Sequence, residues 1–85
     1  MPQHEKKLSD LEVAEQNLRA ARAALQAAEG EIQEIEGYQK EARTLGDREW
    51  LESLERQWEL SYVMLTHILQ AVKVEEEAVR QALIN

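Results

Sequence analysis

The sequence predicts an all-α protein, an antiparallel two-helix hairpin of the coiled-coil type. Three observations predict this fold. The 85 residues include only three Gly and one Pro, and 32% of them are charged, which is typical of long helices. Apolar residues recur with a heptad spacing through the first half of the chain. One strong turn signal, Thr44-Leu45-Gly46-Asp47, stands near the middle.

Composition limits the classes of function. The net charge of -7 argues against binding to nucleic acid or to anionic membranes, because both attract basic surfaces. Without Cys, the chain has no disulfide, no thiolate nucleophile and no zinc-thiolate site. The first residues lack the apolar segment of a signal peptide, and no apolar run is long enough to span a bilayer. We therefore expect one cytoplasmic domain over residues 1–85, with no cofactor and no membrane insertion.

The first helix is predicted over about residues 8–44. Ser9 and Glu12 fit a capping box at its start, although the helix could also begin earlier, near Gln3. Nine of ten a and d heptad positions are apolar, and the small residues at d let a neighbouring helix come close. The a positions are Leu11, Leu18, Leu25, Ile32 and Gln39, and the d positions are Ala14, Ala21, Ala28, Ile35 and Ala42.

Three glycines punctuate the chain in different ways. Gly30 and Gly37 fall at outward f positions, where each costs about 1 kcal/mol relative to Ala. They could break the helix or admit a partner, but the heptad stays in phase across them, so we predict a continuous helix. Gly46 can adopt the left-handed conformation that ends a helix, and Asp47 can cap the next one. We place the turn at residues 44–47.

The second helix is predicted over about residues 47–84. If the chain folds back at Gly46, Leu65 and Val72 lie opposite the Ala-rich part of the first helix, so that bulky side chains meet small ones. The a and d positions of this helix are Leu51, Leu54, Trp58, Ser61, Leu65, Ile68, Val72, Glu75, Val79 and Ala82.

The second helix also has apolar residues that one neighbour cannot cover. Because a wide apolar stripe is normally buried by a further helix, we predict a protein interface there, completed by another helical protein or by a second copy. His67 lacks a metal ligand at helical spacing, so we interpret it as a contact residue. Trp50 could serve equally as a core anchor or as an interface anchor. The predicted interface residues are Trp50, Leu60, Tyr62, Val63, Met64, His67 and Val74.

Two sets of residues in this chain resemble segments of known protein families. The segment Leu18-Arg19-Ala20-Ala21-Arg22, together with Tyr38-Gln39, resembles the small helical co-chaperones of type III secretion needle subunits. The segment Trp58-Glu59, followed by Leu65, Leu69, Gln70 and Val72, is similar to the second helix of WXG proteins of type VII secretion. Gly46 corresponds to the Gly of that family's turn, but Thr44-Leu45-Gly46 lacks the Trp. Both resemblances imply a helical hairpin without catalytic residues, which acts as a chaperone or adaptor.

Two other functions remain open at this point. Asp47-Arg48-Glu49 and Gln81-Ala82-Leu83 are similar to segments of the all-helical chorismate mutases, which would imply an enzyme. The acidic surface would also suit an inhibitor or a phage-type accessory protein. We favour a non-enzymatic protein-binding module, a chaperone or adaptor in a secretion-type assembly, because the sequence offers an unpartnered helix face and no catalytic constellation.

Overall fold

The computed structural model is an all-α helical hairpin, which confirms the predicted fold class. The structure describes the backbone of residues 3–84 and the side chains of residues 10–84. Helix α1 runs over Gln3–Leu45 and helix α2 over Arg48–Ile84. Because α1 begins at Gln3, Ser9 lies inside the helix and does not cap its start. Gly30 and Gly37 also lie inside α1, which is continuous as predicted.

The turn between the helices closes by a specific hydrogen-bond pattern. Gly46 has a φ of 68°, and its N–H donates to the Arg43 carbonyl at 3.2 Å. The Asp47 N–H donates to the Ala42 carbonyl at 2.9 Å, so the two bonds form a Schellman motif. The Asp47 carboxylate then accepts the Trp50 N–H at 3.1 Å, which is the N-cap bond of α2. Both turn predictions are therefore confirmed.

The contacts within the chain form two compact units, Gln26–His67 and Met1–Leu25 with Ile68–Asn85. In the unit Gln26–His67, the core consists of Ile35, Ala42 and Leu54, and Ala42 is fully buried. Half-buried Trp50, Leu51 and Trp58 pack against this cluster. All seam positions predicted in this unit are buried or half-buried, namely Ala28, Ile32, Ile35, Gln39, Ala42, Leu51, Leu54, Trp58, Ser61 and Leu65.

In the other unit, Ala14 and Val72 are buried, and Arg22 pairs with Glu76 at 3.4 Å between the two helices. Both ends of this ion pair are exposed, so it contributes at most about 1 kcal/mol. The predicted seam positions of this unit are again buried or half-buried: Leu11, Ala14, Leu18, Ala21, Leu25, Ile68, Val72, Glu75, Val79 and Ala82. The heptad pattern therefore identified the packing side of both helices.

Candidate protein-binding face

Three neighbouring apolar side chains on α2 are more than half exposed. Leu60 is 70% exposed, Val63 54% and Met64 59%. They occupy heptad positions c, f and g, and we call these three residues the outer patch. Helix α1 packs against positions a and d of α2, so the outer patch points away from the one helix available to bury it. Apolar side chains grouped in this way are typical of an interaction surface.

The outer patch borders an open groove on the surface of α2. Arg56, Glu59, Leu60 and Val63 line this groove, which has a volume of about 360 Å³. One charge of each sign stands at its rim, and Leu60 and Val63 supply its apolar part. The groove can therefore receive an apolar side chain from a neighbouring helix, with polar groups at the edge of the contact.

The c and g positions of α2, which lie on the side of the outer patch, carry no charged residues between Trp50 and His67. The charged residues of α2 in the unit Gln26–His67 all occupy positions b, e or f: Arg48, Glu49, Glu52, Glu55, Arg56 and Glu59. Helix α2 thus has a second uncharged seam beside the one that α1 covers.

Trp50 belongs to the core more than to the outer patch. It is half-buried, packs against the Ile35 cluster and contacts the ring of Tyr38, with ring centroids 6.2 Å apart and planes tilted by 41°. The sequence left open whether Trp50 anchors the core or an interface. Its contacts in the structure are those of a core anchor. Tyr38 is not among the residues predicted for the seam or the interface, and its hydroxyl donates to Glu34 at 3.3 Å. The heptad pattern could have predicted this contact, because Tyr38 and Trp50 both occupy g positions, and g faces g between antiparallel helices.

Tyr62 lies apart from the other predicted interface residues. Its ring stacks on Trp58 with centroids 5.1 Å apart and planes at 13°, and the Trp58 indole N–H donates to Glu36 at 3.4 Å. Two residues along a helix are about 160° apart around its axis, so Tyr62 points away from Leu60 and Met64. The structure separates this aromatic pair from the outer patch.

The last two predicted interface residues are both exposed. His67 follows Leu60 by one heptad and lies on the same side of α2. Val74 is 64% exposed and belongs to the other compact unit. Among the residues that the structure describes, no three His, Asp or Glu side chains come close enough to hold a metal ion. Neither described helix has a segment long and apolar enough to cross a bilayer.

Comparison with protein-family models, with characterised proteins and with solved structures gave no match to this chain.

Proposed function

We propose that this protein is a non-enzymatic binding module that pairs with a helix of another polypeptide through the outer patch. The exposure of Leu60, Val63 and Met64 on one side of α2 carries this proposal. Full burial of one such side chain contributes about 1.5–3 kcal/mol, so the three together supply several kcal/mol toward association. That gain must exceed the entropic cost of association, and the uncharged seam around the patch extends the area that a partner can cover.

The mode of recognition is a helix laid along a helix. A partner helix with apolar residues at heptad spacing can place its side chains between Leu60, Val63 and Met64 as knobs in holes. Arg56 and Glu59 would stay at the solvated rim, where charges set orientation more than affinity. No step in this role requires a nucleophile, a metal or a cofactor.

The more specific role that we propose is a chaperone or adaptor in a secretion-type assembly. Support for it comes from the sequence resemblance of Leu18–Arg22 and Trp58-Glu59 to secretion hairpins. Such a protein meets its client before export, so we expect it to act in the cytoplasm. Genes for an export apparatus beside its own gene would support this role, and measurable conversion of chorismate by the purified chain would contradict the non-enzymatic proposal.

Site-specific photo-crosslinking in cells tests the proposed face. A photoreactive amino acid at Val63 should give a discrete adduct with one polypeptide, identified by mass spectrometry. The matched control is Gln33, which is exposed on α1 in the same compact unit and lies outside the patch. Leu60→Glu should abolish the adduct from Val63, because a carboxylate would be buried in an apolar contact. Equal adduct patterns from Val63 and Gln33 would refute the proposed face.

A further inference from the structure

We infer that the outer patch binds an apolar helix face that is bordered by Lys or Arg along one edge, and that α1 supplies the carboxylates which meet these basic residues. This inference names the class of partner for the proposed binding face and therefore rests on the proposed function. The carboxylates are those of Glu31, Glu34 and Glu41, at c and g positions of α1, and we call these three residues the acidic edge. The acidic edge and the outer patch belong to the same compact unit, Gln26–His67.

The acidic edge lies on the side of the hairpin where g positions of the two helices meet. Between antiparallel helices g faces g, and the ring contact between Tyr38 and Trp50, both at g, follows this rule. On the same side, an open groove of about 200 Å³ runs between the helices, and residues of both helices line it: Glu31, Glu34, Ile35, Tyr38 and Gln57. Two residues of the acidic edge therefore form the α1 wall of this groove.

The groove leads to the outer patch along α2. Gln57, which forms the α2 wall of the groove, precedes Leu60 by three residues and Met64 by seven, so all three lie along one side of the helix. All three side chains are also exposed. A helix that covers the outer patch on this side therefore places one of its own edges next to the carboxylates of α1.

The acidic edge has no ion-pair partner among the described side chains. None of its three carboxylates has a Lys or an Arg three or four residues away along α1. The two ion pairs of the described part of the chain involve Glu76 and Glu77 instead. Glu34 accepts a hydrogen bond from the Tyr38 hydroxyl at 3.3 Å, which leaves its charge in place. Because Glu31 lies one turn before Glu34, their like charges repel each other, and a cationic partner would relieve this repulsion.

The charges around the outer patch are unequal on its two borders. On the border away from α1, Arg56 and Glu59 supply one charge of each sign. On the border toward α1, the charges of the acidic edge are all negative. The complementary helix is thus apolar at the centre and basic along the edge that faces α1. A second copy of this chain fits poorly, because it brings a net charge of -7 and an acidic edge of its own.

Three synthetic peptides of about 21 residues, the length of three heptads, test the inference. Each has Leu at its a and d positions, and the three differ only at the g positions, which carry Lys, Gln or Glu. Fluorescence anisotropy of each labelled peptide, titrated with the full chain, measures the dissociation constants. We expect the Lys peptide to bind at least about 10-fold more tightly than the Gln peptide, and the Glu peptide to bind most weakly. Raising the salt concentration should weaken binding of the Lys peptide.

Variants of the full chain show whether the acidic edge is responsible. Glu31→Gln with Glu34→Gln should weaken binding of the Lys peptide at least about 5-fold and reduce its salt dependence. The matched control, Glu29→Gln with Glu55→Gln, removes two charges at exposed e positions of the same unit and should change the affinity by less than about 2-fold. Val63→Glu should abolish binding, because it places a carboxylate in the apolar contact. Circular dichroism should show the same helicity for every variant.

The outcomes separate this inference from the proposed function. Equal affinities for the Lys and Gln peptides, equal weakening by the two pairs of Glu→Gln exchanges, or no binding of any peptide would each refute a basic partner. The proposed function then survives if Val63 still crosslinks to another polypeptide in cells. A dimer of the chain that Val63→Glu dissociates in sedimentation would assign the outer patch to a second copy instead. If crosslinking from Val63 also matches that from Gln33, both proposals fail.

Discussion

Replacing Gly30 and Gly37 by alanine will stabilise the hairpin. Both glycines lie within the continuous helix α1, and a Cβ built on either one meets no atom within 4 Å. Neither has a positive φ, so alanine fits the existing backbone without strain. Glycine in a helix interior loses more conformational freedom on folding than alanine does, and no close contact at Gly30 or Gly37 in the described part of the chain offsets that loss.

The size of the effect follows from these two positions. Each exchange should add about 0.5–1 kcal/mol to the free energy of unfolding. The two sites are seven residues, or about 10 Å, apart along the helix, and their effects should therefore add to about 1–2 kcal/mol. For a chain of 85 residues this corresponds to a rise in Tm of about 4–16 °C. Thermal unfolding followed by circular dichroism, at one fixed protein concentration, measures it.

Gly46→Ala is the matched control, because it makes the same chemical change at a different backbone conformation. With a φ of 68°, an alanine at position 46 is held in the left-handed region and should cost about 1–2 kcal/mol. The two exchanges in α1 and the one in the turn should thus have opposite signs. A lower Tm for Gly30→Ala with Gly37→Ala would show that these glycines relieve a bend or a contact, and would refute the reasoning from open space.

Two further predictions concern the core and the turn. Leu54→Ala should lower the free energy of unfolding by about 2–5 kcal/mol in chemical denaturation, because Leu54 is only 3% exposed. Leu60→Ala, on the exposed side of the same helix, should change the free energy of unfolding by less than about 0.5 kcal/mol under conditions where the chain is monomeric. Similar losses at both positions would contradict the assignment of the two faces. Asp47→Ala should lower the free energy of unfolding by about 1 kcal/mol, because the Trp50 N–H loses its acceptor. Asp47→Asn can still accept that hydrogen bond and should recover most of the loss. Equal losses in the two variants would argue against a capping role for Asp47.

Helical spacing placed several of the predicted interface residues on the exposed side of α2 and left the position of Trp50 undecided. Leu60, Val63 and Met64 could be assigned to the uncovered side of α2 from spacing alone, because the heptad fixes which positions a single neighbour covers. The fate of Trp50 could not be assigned in this way. Its burial depends on Tyr38, a residue of the opposite helix, and this contact exists only once the hairpin has closed.

Tyr62 is a second residue whose contacts could not be predicted from helical spacing. A wide apolar stripe on a helix does not show which of its residues form one surface, so the predicted interface includes Tyr62 together with Leu60 and Met64. The structure stacks Tyr62 on Trp58, whose indole is held by Glu36 of the opposite helix. Aromatic rings reach further than the heptad positions suggest, and their partners are therefore set by neighbouring side chains as much as by register.

The sequence by itself determined two helices, the turn at Gly46 and Asp47, the side on which each helix packs, and the existence of an uncovered apolar face. These features depend on local conformation and on a periodic pattern, both of which are properties of consecutive residues. Only the tertiary structure decided that Trp50 anchors the core beside Tyr38, and that Tyr62 stacks on Trp58, whose indole N–H donates to Glu36. Those distinctions depend on side chains of the opposite helix, and helical periodicity does not specify how closely each one approaches.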